Sequence, residues 1–345
     1  MSSLKPRVAK WDNAKAILIF LVVFGHAITS VLNDSEVIRS VFLWITAFHM
    51  PMFMLLTGLF SKSFVKAEKF NYTKIASYIL LYFFMKLLIY LTLGLVRSFG
   101  HFRWTSEGGT PWYIFVTAVF MSVTYLLKNF NPQKVLVLTF ALSLAVGYIS
   151  EIGDGFMLSR IFVYYPYFFL GYMLDREKLL AFLNKIWVKI LSAVIIIAFT
   201  AVIFLFCKDL FSLRYAMTGN NPYSEFGKDW APFGVLIRTF CYILSTTISF
   251  AFLSIIPTGK IPVLTKTGSK TLNVYALHRP ALYAFQYTVM TLMLRSIPEN
   301  WALPALFLVS LVLTFVLSLK PFDYVLYPCT RCDKWLNPIT KWLKK

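Results

Sequence analysis

Ten long apolar stretches constrain this chain more than any other feature of its sequence. They run over residues 14–32, 41–60, 75–96, 112–127, 135–150, 161–174, 190–206, 233–256, 272–294 and 301–319. Most have the roughly 20 residues that a helix needs to cross a bilayer. Charged residues make up 14% of the chain, whereas a soluble domain would carry about 25%. The sequence therefore predicts an all-α integral membrane protein, a single transmembrane domain over residues 1–345 with about ten spanning helices.

Lysine and arginine alternate between loops that are rich and loops that are poor in them. If all ten stretches span, every rich loop falls on one side, which the positive-inside rule assigns to the cytoplasm together with both termini. The net charge of +19 then serves orientation, so the bilayer is the predicted partner and a nucleic acid is not. Residues 207–232 form the longest outer loop; we expect a cap over an outward-facing site, with a solvated connector as the alternative.

The first apolar stretch carries Asp12, Lys15 and His26, and ionisable groups inside a membrane are functional-site hypotheses because they are costly there. Lys15 and His26 are about three helical turns apart, so they share one face and lie roughly 16 Å apart along the helix axis. A cation near the inner surface and an imidazole beyond the midplane are thus expected. His49 enters from the outer side at a similar depth, so the two histidines are predicted to share a polar pocket. The alternative for His49 is a packing or hydrogen-bonding residue held before a kink at Pro51.

The spacing of Lys15 and His26 resembles the first helix of the acyltransferase-3 family, multi-pass enzymes that O-acylate sugars and cell-envelope glycans. That family has a basic residue, ten spacers and a histidine on this helix. Further similarities follow in the family's order: Phe48-His49-Met50-Pro51-Met52-Phe53 with Thr57-Gly58, Pro111-Trp112-Tyr113-Ile114, Phe168-Phe169-Leu170-Gly171-Tyr172, and Gly268-Ser269 leading to Tyr275-Ala276-Leu277-His278. The resemblance favours the fucose-4-O-acetylase-like branch, which lacks an appended extracellular domain. It departs from the family at the third helix, which begins with lysines where the family commonly has arginines.

The resemblance implies acetyl-CoA as the acyl donor, a co-substrate, and a saccharide or lipid-linked saccharide as the acceptor. A neutral imidazole suits the deprotonation of an attacking hydroxyl group, so His26 is predicted as the catalytic base, with His49 as a second catalytic candidate. Lys15, paired with Asp12, is predicted to bind the donor. The alternative for Lys15 is an interfacial lysine whose ammonium group reaches the water.

Five further residues complete the predicted site. His278 and Arg279, near the inner end of the ninth stretch, are donor-binding candidates, and Arg279 is alternatively half of a structural ion pair. Glu107 and Trp112 lie in or beside the outer loop 97–111, where aromatic faces suit a sugar acceptor. Arg238, near the outer end of the eighth stretch, is a third substrate-binding candidate, with a buried polar contact as its alternative.

The sequence and the resemblance together predict a multi-pass O-acetyltransferase of the cell membrane, the bacterial cytoplasmic membrane being the one implied. A transporter or flippase of lipid-linked sugars is the main alternative, because it also needs buried charge and access from two sides. A multi-pass scaffold without chemistry is the other. No metal is expected, since Cys329 and Cys332 form a single C-x-x-C pair and a zinc site needs about four ligands.

Overall fold

A computed structural model describes residues 8–102, 104, 109–153, 155–290, 292, 296 and 298–334, and within these ranges it contains helices and no β-strand. The helices are α1 (Ala9–Ile28), α2 (Glu36–Thr46), α3 (His49–Phe60), α4 (Lys62–Val65), α5 (Tyr72–Val96), α6 (Trp112–Leu126), α7 (Pro132–Ala145), α8 (Leu158–Met173), α9 (Arg176–Leu183), α10 (Ile186–Leu205), α11 (Cys207–Leu210), α12 (Arg214–Met217), α13 (Gly234–Ile255), α14 (Pro262–Gly268), α15 (Thr271–Phe285), α16 (Glu299–Leu317) and α17 (Pro321–Thr330). A π-helical segment, Gln286–Met290, continues α15. Within the described residues, each predicted apolar stretch overlaps a helix or a broken pair of helices.

Five helical segments of the described chain are long and apolar enough to cross a membrane: Ala9–Val31, Glu36–Phe60, Tyr72–Val96, Ile186–Leu205 and Ala231–Ile255. A sixth results if α16 and α17, which meet at a bend of 66°, form one broken span. The apolar helices Trp112–Leu126 and Pro132–Tyr148 are shorter. The predicted all-helical architecture is confirmed, while the count of ten spans and the cytoplasmic position of the termini stay predictions.

Helix α1 lies in the interior of the protein. It packs against α3, α14, α15 and α16, and most of its side chains are buried. The Nζ atom of Lys10 donates to the carbonyl oxygens of Ser254 (3.2 Å) and Ile256 (2.7 Å), and Asn13 Nδ2 donates to that of Pro257 (3.0 Å). Because the last carbonyl groups of a helix have no partner within it, these bonds attach the start of α1 to the end of α13.

Helices α3 and α8 cross in close contact at two glycines. A β-carbon on Gly58 of α3 would overlap the carbonyl oxygen of Phe168, and one on Gly171 of α8 would overlap that of Leu55. Glycine permits such an approach of two backbones because it has no side chain. This crossing fixes the position of α3, whose first residue is His49.

The second predicted span is broken between α2 and α3, at Ala47 and Phe48. The Oγ atom of Ser245 donates to the carbonyl oxygen of Ala47 (2.5 Å), which satisfies one acceptor that the break releases. The kink predicted at Pro51 falls four residues earlier, at Ala47, whose carbonyl oxygen a proline at position 51 cannot bond. Pro51 lies in the first turn of α3, where a proline removes no bond within the helix, and the break falls immediately before His49.

Candidate active site

A cavity of about 270 Å³ lies between the C-terminal half of α1, the α2–α3 break, the starts of α6 and α8, and the long outer loop. His26 and His49 both line it, so the structure brings together the two histidines that the sequence predicted to share a pocket. Four threonines, Asn220 and Arg160 add polar groups. A concave site with a few convergent polar groups is the usual form of a small-molecule site. We call this space the histidine cavity.

The imidazole rings of His26 and His278 stack, with centroids 5.4 Å apart and planes inclined by 28°. His278 is fully buried, and its Nδ1 contacts the carbonyl oxygens of Val274 (3.0 Å) and Tyr275 (2.9 Å). Because a carbonyl oxygen only accepts, Nδ1 carries the proton, and Nε2 of the neutral ring is left as an acceptor. Nε2 has no hydrogen-bond partner among the described residues. The sequence grouped His278 with the donor cations, whereas the structure places it against His26.

His49 begins α3 at the wall of the histidine cavity. Its Nδ1 donates to the carbonyl oxygen of Ile45 in α2 (2.7 Å). This carbonyl lies at the end of α2 and also accepts from the backbone N–H of Phe48 (3.4 Å), so the imidazole adds a shorter bond beside the break. The bond also leaves Nε2 as the acceptor of the neutral ring.

A second cavity of about 310 Å³ holds Lys15, and Lys74 from the start of α5 lines it as well. We call it the lysine cavity. The Nζ atom of Lys15 lies 2.8 Å from Oδ1 of Asp12, so the predicted pairing of these side chains is confirmed. The Lys15 side chain remains 28% exposed and can therefore reach a ligand. Two ammonium groups in one cavity favour an anionic group such as a phosphate.

The histidine cavity and the lysine cavity meet at Met50 and Tyr275, which line both. The hydroxyl group of Tyr275 donates to the carbonyl oxygen of Thr110. The Tyr275 ring packs against Tyr113 and His278, with centroids 5.3 and 6.0 Å apart. Lys15 and His26, on one helix, thus face adjoining cavities that share two side chains.

Trp112, which the sequence predicted at the acceptor, lines the histidine cavity. Its ring stacks on Tyr164, with centroids 5.0 Å apart and planes inclined by 27°. The guanidinium group of Arg160 lies 5.1 Å from the centre of the Trp112 ring system. Thr218 and Asn220 of the long outer loop also line this cavity, as the predicted cap over the site requires.

A family model described as an acyltransferase domain matches residues 8–319, which include every residue of both cavities. The chain belongs to the acyltransferase-3 family. No curated protein and no solved structure matches it. The resemblance stated from the sequence is confirmed, and the protein is a membrane acyltransferase. Its place in the fucose-4-O-acetylase-like branch stays a prediction.

Two arginines predicted at the site of this acyltransferase are not among the residues that line either cavity. Arg238, 1% exposed, donates to one carbonyl oxygen of α7 (3.1 Å) and one of the long outer loop (2.9 Å). That is the buried polar contact predicted as its alternative. Arg279 donates from Nη2 to the hydroxyl group of Tyr283, one turn along α15 (2.6 Å). Glu107, the remaining acceptor candidate, lies outside the described residues.

The cavity residues that were not predicted as site residues include Met50, Thr110, Arg160 and Tyr275. Met50 and Tyr275 lie within segments that resemble the family, and Arg160 is a charged residue beside an apolar stretch. The sequence could therefore have predicted these three as site residues. Nothing in the sequence marks Thr110, which lies in a loop and reaches the cavity only through the packing of α6 against its neighbours.

Proposed function

We propose that this acyltransferase moves an acetyl group from cytoplasmic acetyl-CoA to a hydroxyl group of a cell-envelope or extracellular polysaccharide, or of its lipid-linked precursor. The junction of the two cavities at Met50 and Tyr275 is the observation that carries the proposal. A cavity with ammonium groups suits a donor with phosphates, and a cavity with imidazoles, hydroxyls and aromatic faces suits a sugar. A transfer between the two requires that they adjoin.

Acetyl-CoA fits the charge distribution around Lys15. A wider space of about 800 Å³ adjoins the lysine cavity at Lys15 and also includes Lys62 and Arg176, together with three carboxylates. In the proposal the phosphates bind among these cations and the thioester extends through the lysine cavity towards Met50 and Tyr275. Charge-assisted bonds to phosphate are stronger than bonds between neutral groups.

His26 is the proposed general base. Its imidazole takes the proton of the acceptor hydroxyl group as the hydroxyl oxygen attacks the carbonyl carbon of the thioester. The carbonyl oxygen becomes an oxyanion in the tetrahedral intermediate. When the intermediate collapses, the carbon–sulfur bond breaks, the thiolate of CoA leaves and takes the proton from the imidazolium, and the products are an O-acetyl ester and free CoA. His26 is neutral again after each cycle.

His26→Gln and His101→Gln form a matched pair for the test, because His101 is exposed in the 97–111 loop and lines neither cavity. Purified protein in lipid nanodiscs is incubated with radiolabelled acetyl-CoA and the unmodified envelope glycan of its host, and label in the glycan is counted. We expect His26→Gln to lower the rate by about 10²–10⁴-fold and His101→Gln to leave it unchanged. A wild-type protein that never labels glycan contradicts the proposed function. A His26→Gln variant at wild-type rate contradicts only the role of His26.

The role of Lys15 is tested with a donor that has no phosphate, S-acetyl-N-acetylcysteamine. Lys15→Gln should raise KM for acetyl-CoA by about 10–100-fold, the equivalent of one charge-assisted hydrogen bond. It should leave the rate with the phosphate-free donor unchanged. Lys208→Gln is the control, because the Lys208 side chain is 75% exposed and lines neither cavity. Equal losses with both donors would show that Lys15 does not bind phosphate.

Transport of a lipid-linked sugar is the competing function. It predicts movement of the sugar across sealed vesicles without consumption of acetyl-CoA. Such movement by a protein that releases no free CoA would replace the proposal.

A further inference from the structure

Thr110 has a hydroxyl group that the protein itself does not use. The residue is 3% exposed, it lines the histidine cavity, and its Oγ1 atom has no hydrogen-bond partner among the described residues. Buried polar groups are nearly always hydrogen-bonded, because an unpaired one loses its water without compensation. A hydroxyl kept in this state at a cavity wall is one whose partner arrives with the ligand.

The other three threonines of the histidine cavity differ from Thr110 in this respect. Thr29 Oγ1 donates to the carbonyl oxygen of His26 (2.7 Å), and Thr46 Oγ1 donates to that of Phe42 (2.8 Å). Thr218 Oγ1 donates to the carbonyl oxygen of Tyr215 (3.4 Å). Thr110 is therefore the threonine of this cavity, within the described chain, whose hydroxyl hydrogen remains available.

Thr110 is also held at the point where the cavities meet. Its carbonyl oxygen accepts the hydroxyl hydrogen of Tyr275, and Tyr275 lines both cavities and packs on His278, which in turn stacks on His26. Pro111 follows it directly at the start of α6 and restricts its backbone. The unpaired hydroxyl thus belongs to a rigid part of the site, on the route from Lys15 to His26.

We propose that the Thr110 hydroxyl group donates a hydrogen bond to the thioester carbonyl oxygen and stabilises the oxyanion that forms on it. The inference rests on the proposed function and adds the electrophilic half of the site to the base His26. The acceptor oxygen forms its bond to the carbonyl carbon, its proton goes to His26, and the electron pair of the carbonyl double bond moves onto the oxygen beside Thr110. When this electron pair re-forms the carbonyl double bond, the carbon–sulfur bond breaks and CoA leaves with the proton from His26. Thr110 keeps its own proton throughout.

The imidazoles of His49 and His278 do not supply this donor. The imidazole of His49 has its Nδ1–H committed to the carbonyl oxygen of Ile45, and that of His278 has its Nδ1–H committed to α15. Both therefore offer acceptors rather than donors in their neutral forms. A preorganised donor aimed at the developing oxyanion is usually the largest single contribution to acyl transfer.

Thr110→Val tests the proposal, because valine has the shape of threonine without the hydroxyl group. Thr314→Val is the matched control: it makes the same change at a buried hydroxyl that is bonded to its own helix and lines neither cavity. We expect Thr110→Val to lower kcat by about 10²–10³-fold, with KM for acetyl-CoA within twofold of wild type and an unchanged or higher melting temperature. Thr314→Val should stay within a few-fold of wild type. Thr110→Ser, which keeps the hydroxyl group, should recover most of kcat.

Three kinetic outcomes overturn the proposal: wild-type kcat in Thr110→Val, an equal loss in Thr314→Val, or a loss in Thr110→Val that appears only in KM. Each of them requires that the wild-type protein acetylates the glycan, so each leaves the proposed function intact. A wild-type protein without acetyl transfer refutes the proposed function instead. A lower melting temperature in Thr110→Val, with no recovery in Thr110→Ser, assigns the residue to packing and also overturns the proposal.

Discussion

Gly58→Ala measures how much the site depends on the crossing of α3 and α8. The new β-carbon would overlap the carbonyl oxygen of Phe168. Because a carbon and an oxygen approach each other no closer than about 3.3 Å, the two helices would have to move apart by roughly 1.5 Å. The obstructing atoms belong to the backbone, so no side-chain rotation relieves the overlap.

The expected loss of stability follows from two opposing effects. Overpacking a close-packed interface costs about 1–3 kcal/mol, and a backbone obstruction belongs at the upper end. Replacing glycine by alanine within a helix stabilises the folded state by about 1 kcal/mol. The net destabilisation is therefore about 2 kcal/mol, or a fall in melting temperature of about 3 °C for a chain of 345 residues. Activity should also fall at temperatures where the variant is folded, because α3 carries His49 and Met50 into the site.

Gly25→Ala is the control, read by thermal unfolding in detergent followed through tryptophan fluorescence. A β-carbon on Gly25 meets only the Cγ2 atom of Ile45, at an ordinary 3.5 Å. This variant should be as stable as wild type or more stable by up to about 1 kcal/mol. The argument from backbone contact is wrong if Gly58→Ala has the wild-type melting temperature, or a melting temperature no lower than that of Gly25→Ala.

Two further predictions concern residues outside the reacting centre. Arg238→Gln should lower the free energy of unfolding by about 2–3 kcal/mol, since it removes charge-assisted bonds to two buried carbonyl oxygens. KM for the acceptor should stay within twofold of wild type. A large rise in that KM would show that Arg238 binds the acceptor. Asp175 caps α9 by accepting from the backbone N–H groups of Lys178 (3.0 Å) and Glu177 (2.9 Å), which hold the pKa of its carboxyl below the usual value. Its stabilisation is therefore complete above the unfolded pKa of about 3.9 and is lost as the pH falls through the lowered folded value. The Asp175→Asn variant keeps a capping oxygen without the titration, so its melting temperature should fall less steeply from pH 6 to pH 3 than that of the wild type; parallel curves would contradict this.

The sequence alone determined the helical membrane architecture and the polar face of α1. Both are local properties: apolar length decides whether a segment suits lipid, and the helical period decides which residues of one helix share a face. Lys15 and His26 therefore could be assigned to one face of α1, and Asp12 could be paired with Lys15, before any fold was known.

Only the tertiary structure decided which side chains from different helices meet. His278 is remote from His26 in sequence, and its stacking on that ring depends on how α15 packs against α1. The break before His49 is bonded by a hydroxyl from α13, and the Thr110 hydroxyl is unpaired at the cavity wall because no neighbour among the described residues bonds to it. Such contacts are set by the close packing of backbones, as at Gly58 and Gly171, and no hydrophobic period encodes them.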